Sequence, residues 1–205
     1  MTEKLRRASQ RRIALWALAA ALTAAAVALS MPPLRRLIEQ SMAWHMVAQM
    51  PLLMLAGWVF AQAVSTRRTR PNASNALAAW NQFGLTGGLT VLVLLAYWML
   101  PSSIDRALVV PAADAFKVAS LWLGGALLKH SGQRAPLMVQ LFFVGTALPM
   151  LVWAGLYFAN TELRLCNAYS LSSQIAAGQS LATMAVFLAV CWAARAMSLM
   201  RSSSN

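Results

Sequence analysis

Six apolar runs, each about twenty residues long and the first four closed by proline or a basic cluster, constrain this chain more than any other feature. A helical run of that length matches the hydrocarbon thickness of a bilayer. Backbone polar groups placed in lipid must also be satisfied within their own element, which favours helices. The runs fall at 13–31, 41–65, 80–100, 107–128, 137–159 and 178–197. Pro32-Pro33, the RRTR cluster at 67–70, Pro101 and the KHSGQR stretch at 129–134 separate them. The predicted fold class is therefore all-α: a polytopic membrane protein folded as a six-helix transmembrane bundle. Residues 1–12 form a basic leading segment, 13–197 one transmembrane bundle, and 198–205 a polar tail. The start, MTEKLRRASQRR, resembles the basic region of a signal peptide, but the run that follows is long enough to span and is read as a retained first helix.

Composition agrees with this reading. Of 205 residues, 60% are hydrophobic and 11% charged, where a soluble domain carries about 25% charged residues. Little chain is left for a soluble catalytic module. A net charge of +12 raises the question of nucleic acid, but the basic residues lie in short segments between apolar runs, where topology signals belong. With the N-terminus inside, twelve basic residues fall on the inner side: Lys4, Arg6, Arg7, Arg11, Arg12, Arg67, Arg68, Arg70, Lys129, Arg134, Arg195 and Arg201. Only Arg35, Arg36, Arg106 and Arg164 fall outside. The positive-inside rule then predicts an N-in, C-in multi-pass membrane protein, with the lipid bilayer as partner and no nucleic acid.

The second run carries the most specific chemistry. In SMAWHMVAQMPLLMLAGW (41–58), Met42, His45, Met46, Gln49 and Met50 share one face of an α-helix. Thioethers and imidazole suit a soft ion such as Cu(I) and bring no negative charge into the bilayer. The same stripe also suits packing, because methionine fills irregular helix interfaces. Asp114 and Lys117, spaced i,i+3 in the fourth run, form an intramembrane charge pair that either works on protons or substrate or fixes the helix as an internal salt bridge.

The connection 160–178, NTELRLCNAYSLSSQIAAG, supplies Cys166 as a further metal candidate, with Arg164 beside it to favour the thiolate. A short amphipathic helix over the bundle mouth is expected there. Gly84, Gly87 and Gly88 in the third run permit close helix contact. Trp44, Trp80, Trp98 and Tyr157 sit near run ends, as interfacial aromatics do. Cys191 is expected to pack within the last run, and His130 to be solvated in a basic loop. The two histidines, His45 and His130, are predicted on opposite sides, and no HExxH, GxSxG or P-loop motif occurs. No enzyme activity is expected.

HMVAQM followed by PLLMLAGW resembles the His-Met motif of CtaG-type cytochrome oxidase assembly factors, polytopic inner-membrane proteins associated with copper delivery to haem-copper oxidases. The family motif resembles H-M-x-x-H-M. His45 and Met46 match its first half and Met50 its second methionine, while Gln49 stands where a second histidine is expected. The resemblance implies copper, as Cu(I), as the cofactor or cargo. It also implies a haem-copper oxidase subunit or a periplasmic copper donor as the partner. The expected function is thus an accessory factor, metallochaperone-like, for copper handling or cytochrome c oxidase assembly, with a periplasm-facing Met/His site. A small transporter or channel built on Asp114–Lys117, and a ligand-free structural subunit, are the alternatives.

Overall fold

A computed structural model describes residues 2–32, 34–65 and 79–203. The basic cluster at 67–70 and the last two residues of the tail lie outside the described residues. Among those described, every regular element is a helix. In chain order these are α1 (Thr2–Ala28), α2 (Leu34–Ile38), α3 (Trp44–Ser65), α4 (Gln82–Trp98), α5 (Pro101–Val109), α6 (Pro111–Gly132), α7 (Leu137–Asn160) and α8 (Leu171–Ser203).

Four of them, within α1, α3, α7 and α8, are long and apolar enough to cross a membrane. A fifth crossing arises if α4 and α5, bent by 75° at the Met99–Leu100 break, count as one span. Six spans were expected. The difference lies in α6, which has the length of a span but whose Asp114, Lys117 and Lys129 dilute its apolar character. The fourth run also starts later than expected. Pro101 and Pro111 each occupy the first turn of a helix, where their missing N–H costs nothing, and so divide 101–132 into two helices.

Two further boundaries differ from the sequence reading. Residues 2–12 are the helical beginning of α1 rather than a separate segment. The polar stretch after Tyr169 is the beginning of α8, so only 161–170 remains as a loop and no separate amphipathic helix covers the mouth. The amphipathic cover comes instead from α5, which buries Ser103, Ile104 and Ala107 on one side.

The core of the bundle is the pair α3 and α6, with α1 on the outer side of α3 and α4 on α6, while α7 and α8 pack on each other. Glycines set these crossings. A Cβ on Gly57 would lie 1.8 Å from the Trp122 carbonyl oxygen, and one on Gly125 would lie 1.8 Å from that of Met54. In α7 and α8, Gly155 and Gly178 face each other in the same way, with 2.4–2.6 Å between such a Cβ and the opposing carbonyl oxygen. Backbones approach this closely only where side chains are absent.

At the end of the bundle that carries His130, Asn81 closes α4 onto α6. Its Nδ2 donates to Ser131 Oγ at 2.9 Å and its Oδ1 accepts from the Gly87 N–H at 2.9 Å. The same Nδ2 lies 3.2 Å from His130 Nδ1, so His130 is half-buried and bonded rather than solvated. The turn into α4 needs Gly84, whose φ is +72°. Trp98 is buried, not interfacial, and its Nε1 donates to Ser120 Oγ at 3.1 Å. Cys191 is exposed on the outer surface of α8 instead of packed inside it.

Candidate functional site

The first turns of α3 are π-helical over Trp44–Gln49, with the Met50 N–H bonding the His45 carbonyl five residues back. Pro51 explains the widening. It has no N–H to offer, and its ring crowds the carbonyl four residues earlier, Val47. Widened turns of this kind are frequent at functional sites. The consequence is a broad inward face: Met42, His45, Met46, Gln49 and Met50 are all at most 4% exposed, while Trp44 is 62% exposed. The five residues of the predicted stripe are thus brought to the protein interior, away from lipid.

Met42, Met46 and Met50 belong to one buried cluster with Leu53, Trp98, Ile104, Leu121, Phe158, Cys166 and Tyr169. Cys166 is therefore buried rather than facing solvent. Its thiol points at the Pro101 carbonyl oxygen, 3.9 Å away. Burial, with Asp105 nearby, pushes the thiol up to about 11. Arg164 does not act on the sulfur. Its guanidinium caps the carbonyl oxygens of Cys166 and Asn167. The predicted thiolate character is overturned by this arrangement.

A charged cluster adjoins the sulfur cluster. Arg35 and Glu39 are one turn apart, and Arg35 Nε donates to both Glu39 carboxylate oxygens at 2.8–2.9 Å. The Arg35 Nη1 reaches Asp114 Oδ2 at 3.2 Å, and Nη2 donates to the Ala107 and Leu108 carbonyls at 3.3 Å. Asp114 sits in the first turn of α6, where the helix dipole favours a carboxylate. Lys117, one turn on, is fully buried, with Nζ 2.8 Å from Asp114 Oδ1 and 3.8 Å from Glu39 Oε1. Asp114 Oδ1 nonetheless accepts no aligned hydrogen bond, so charge rather than direction holds that contact. Two cations and two carboxylates sum to zero, which is the condition under which ionised groups survive in a low-dielectric interior.

His45 joins the two clusters. Lys117 Nζ is 3.4 Å from His45 Nε2, and Tyr169 Oη is 3.1 Å from His45 Nδ1. An ammonium can only donate, so Nε2 accepts and the single proton of a neutral imidazole lies on Nδ1, donated to Tyr169. Burial, and then Glu39, hold the Tyr169 phenol above its ordinary range, so it stays neutral. The loop that carries Tyr169 is pinned from several sides. Asp105 accepts from the Asn167 N–H at 2.9 Å, and Gln174 Oε1 accepts from the Leu165 N–H at 2.8 Å. The Met42 N–H donates to Ser173 Oγ at 2.8 Å.

Gln49, deeper along α3, donates through Nε2 to the Leu29 carbonyl at 3.3 Å and to Ser30 Oγ at 3.2 Å. Its Oε1 is buried without a hydrogen-bond partner. Among the described residues no group of three or more His, Cys, Asp or Glu side chains is arranged to hold a metal ion. The donor set that fits a soft cation is the thioethers of Met42, Met46 and Met50. His45, as placed, has both nitrogens engaged. The groove lined by Gln179, Thr183 and Phe187 on α8 shares no residue with this site.

From the sequence, Arg35 is read only as a topology charge and Glu39 is given no role. Their i,i+4 spacing was the available signal for a preformed pair. Nothing local in the sequence signalled Tyr169 as the partner of His45. Compared with family models, curated proteins and solved structures, the chain matches none of them.

Proposed function

We propose that this chain is a bacterial inner-membrane accessory factor that handles Cu(I) for the assembly of a haem-copper oxidase, with N-in, C-in orientation and six crossings including α6. The observation that carries the reading is the burial of Met42, Met46 and Met50 in one cluster at a π-helical turn. Three neutral sulfur donors on adjoining turns favour a monovalent soft cation over a hard or divalent one. The Cys166 thiol lies in the same cluster and would bind only after losing its proton. The work assigned to the protein is binding and transfer of the ion, not bond-making catalysis.

The test is a Cu(I) titration of the detergent-purified protein against a chromophoric chelator. The wild type is expected to take one equivalent. The Met42→Leu, Met46→Leu, Met50→Leu triple variant, which keeps the apolar volume, is expected to lose it. A wild type that leaves all copper on the chelator removes the reading.

The charge cluster, with Lys117 fully buried at its centre, favours a second reading, in which Asp114 and Lys117 serve a coupled transport step. Ion or solute flux in proteoliposomes that disappears with Asp114→Asn, together with no Cu(I) binding, would select it.

A further inference from the structure

We infer that Lys117 is a specificity-determining residue: it occupies the His45 nitrogen that would otherwise admit divalent metals, leaving the thioethers as the available donors. The inference rests on the copper reading and narrows it to the monovalent ion. Three structural observations lead to it. First, the Lys117 ammonium is completely buried and 3.4 Å from His45 Nε2, which is the nitrogen turned away from Tyr169. Second, the ammonium is not free to swing away. Asp114 stands 2.8 Å from it and Glu39 3.8 Å, and both carboxylates are themselves held by Arg35. Third, among the described residues no His, Cys, Asp or Glu grouping, the one around His45 included, offers a divalent ion a set of three donors.

The chemistry follows from charge and donor type. Zn²⁺, Co²⁺ and Cu²⁺ bind through imidazole and oxygen donors. Here the imidazole lone pair already accepts from an ammonium, and that ammonium is a fixed positive charge in a poorly screened interior. A divalent ion would have to displace it and then sit beside it. A monovalent soft ion held by thioether sulfur meets the same charge with half the repulsion and needs no nitrogen. Lys117 therefore acts through His45 and through its own field, as a positioning residue and not as a ligand.

The test uses the full-length protein in detergent, with Ag⁺ as the redox-inert stand-in for Cu(I), and Zn²⁺ and Co²⁺ as divalent probes. Wild type is expected to bind Ag⁺ at least a hundredfold more tightly than either divalent ion. Lys117→Gln is expected to gain at least tenfold in Zn²⁺ and Co²⁺ affinity, with a Co²⁺ visible spectrum that reports nitrogen ligation. Adding His45→Ala to Lys117→Gln should remove that gain. The Asp114→Asn, Lys117→Gln double variant leaves the cluster electrically neutral and serves where the single variant does not fold. A metal-free readout accompanies these: the ¹⁵N spectrum of His45 should report the Nδ1–H tautomer in wild type and lose that preference in the Lys117 variants. If folded Lys117 variants bind Zn²⁺ and Co²⁺ no better than wild type while wild type binds Ag⁺, this inference fails and the copper reading stands. If wild type binds no Ag⁺, both fail.

Discussion

The contact between α3 and α6 is made in two different ways along its length. In its middle, Gly57 and Gly125 bring backbone against backbone, and shape alone fixes the crossing. Toward the Tyr169 end the same helices meet through Lys117 and His45, and the contact is polar, directional and shared with α2 and the 161–170 loop. Helix association in lipid gains little from the hydrophobic effect, so close packing and buried polar contacts supply it. The glycine joint tolerates no added atom. The polar joint is held by opposed charges, so a change of one charge there is felt by its partners. The first therefore sets geometry, and the second can hold chemistry because the first has already placed it.

The largest expected effect breaks the glycine joint. Gly125→Leu drives a side chain into the Met54 carbonyl and should cost more than the roughly 1–3 kcal/mol of ordinary overpacking. Loss of a cooperative thermal transition in detergent, followed by tryptophan fluorescence, would register it. A normal transition would mean that the two helices can slide apart.

Next comes the polar joint. Lys117→Leu leaves Asp114 with Arg35 as its one cationic partner and the cluster with a net negative charge, and should cost up to about 3–5 kcal/mol, the usual penalty for removing one partner of a buried ion pair. The Asp114→Asn, Lys117→Leu double variant should recover more than half of that loss. Denaturant unfolding of the two proteins gives the comparison, and equal losses would show that the charges are not coupled. Tyr169→Phe is a milder cut. It leaves the His45 Nδ1–H without its acceptor and should cost about 1–3 kcal/mol.

The smallest effect concerns Cys166, whose thiol is held neutral up to about pH 11. Because its folded value lies above the ordinary 9.0, the stabilisation it reflects is fully present below pH 9 and is lost as pH rises through 11. Alkylation of Cys166 should accordingly be slow at pH 8 and accelerate steeply above pH 10. Rapid labelling at pH 8 would mean that the loop opens freely.

The helical character of the apolar runs and the inward-facing stripe were legible because each depends on local composition. Apolar runs of spanning length mark helices, and Met42, His45, Met46, Gln49 and Met50 recur at the right offsets. The π-helical turn was less accessible, although Pro51 was its cue. The helix-wheel argument assumes a regular turn, and the stripe reached the interior with a different phase than the one assumed. The partners of His45 were not legible at all. Tyr169 stands 124 residues away and Lys117 72 residues away, and no periodicity links them. Trp98 and Cys166 were misplaced for a related reason. Position near a run end suggested an exposed interface, whereas the bent α4–α5 pair and the pinned loop fold both residues inward.

The span of the His45–Tyr169 bond has a consequence for biogenesis. As the ribosome delivers the chain, His45 emerges well before its phenolic partner exists, whereas α6 arrives when Arg35 and Glu39 are already there to pair with Asp114 and Lys117. Only when the 161–170 segment has emerged and α8 begins to insert can the imidazole be fully capped. A nascent protein halted before Tyr169 would thus hold His45 with its Nδ1 still uncapped.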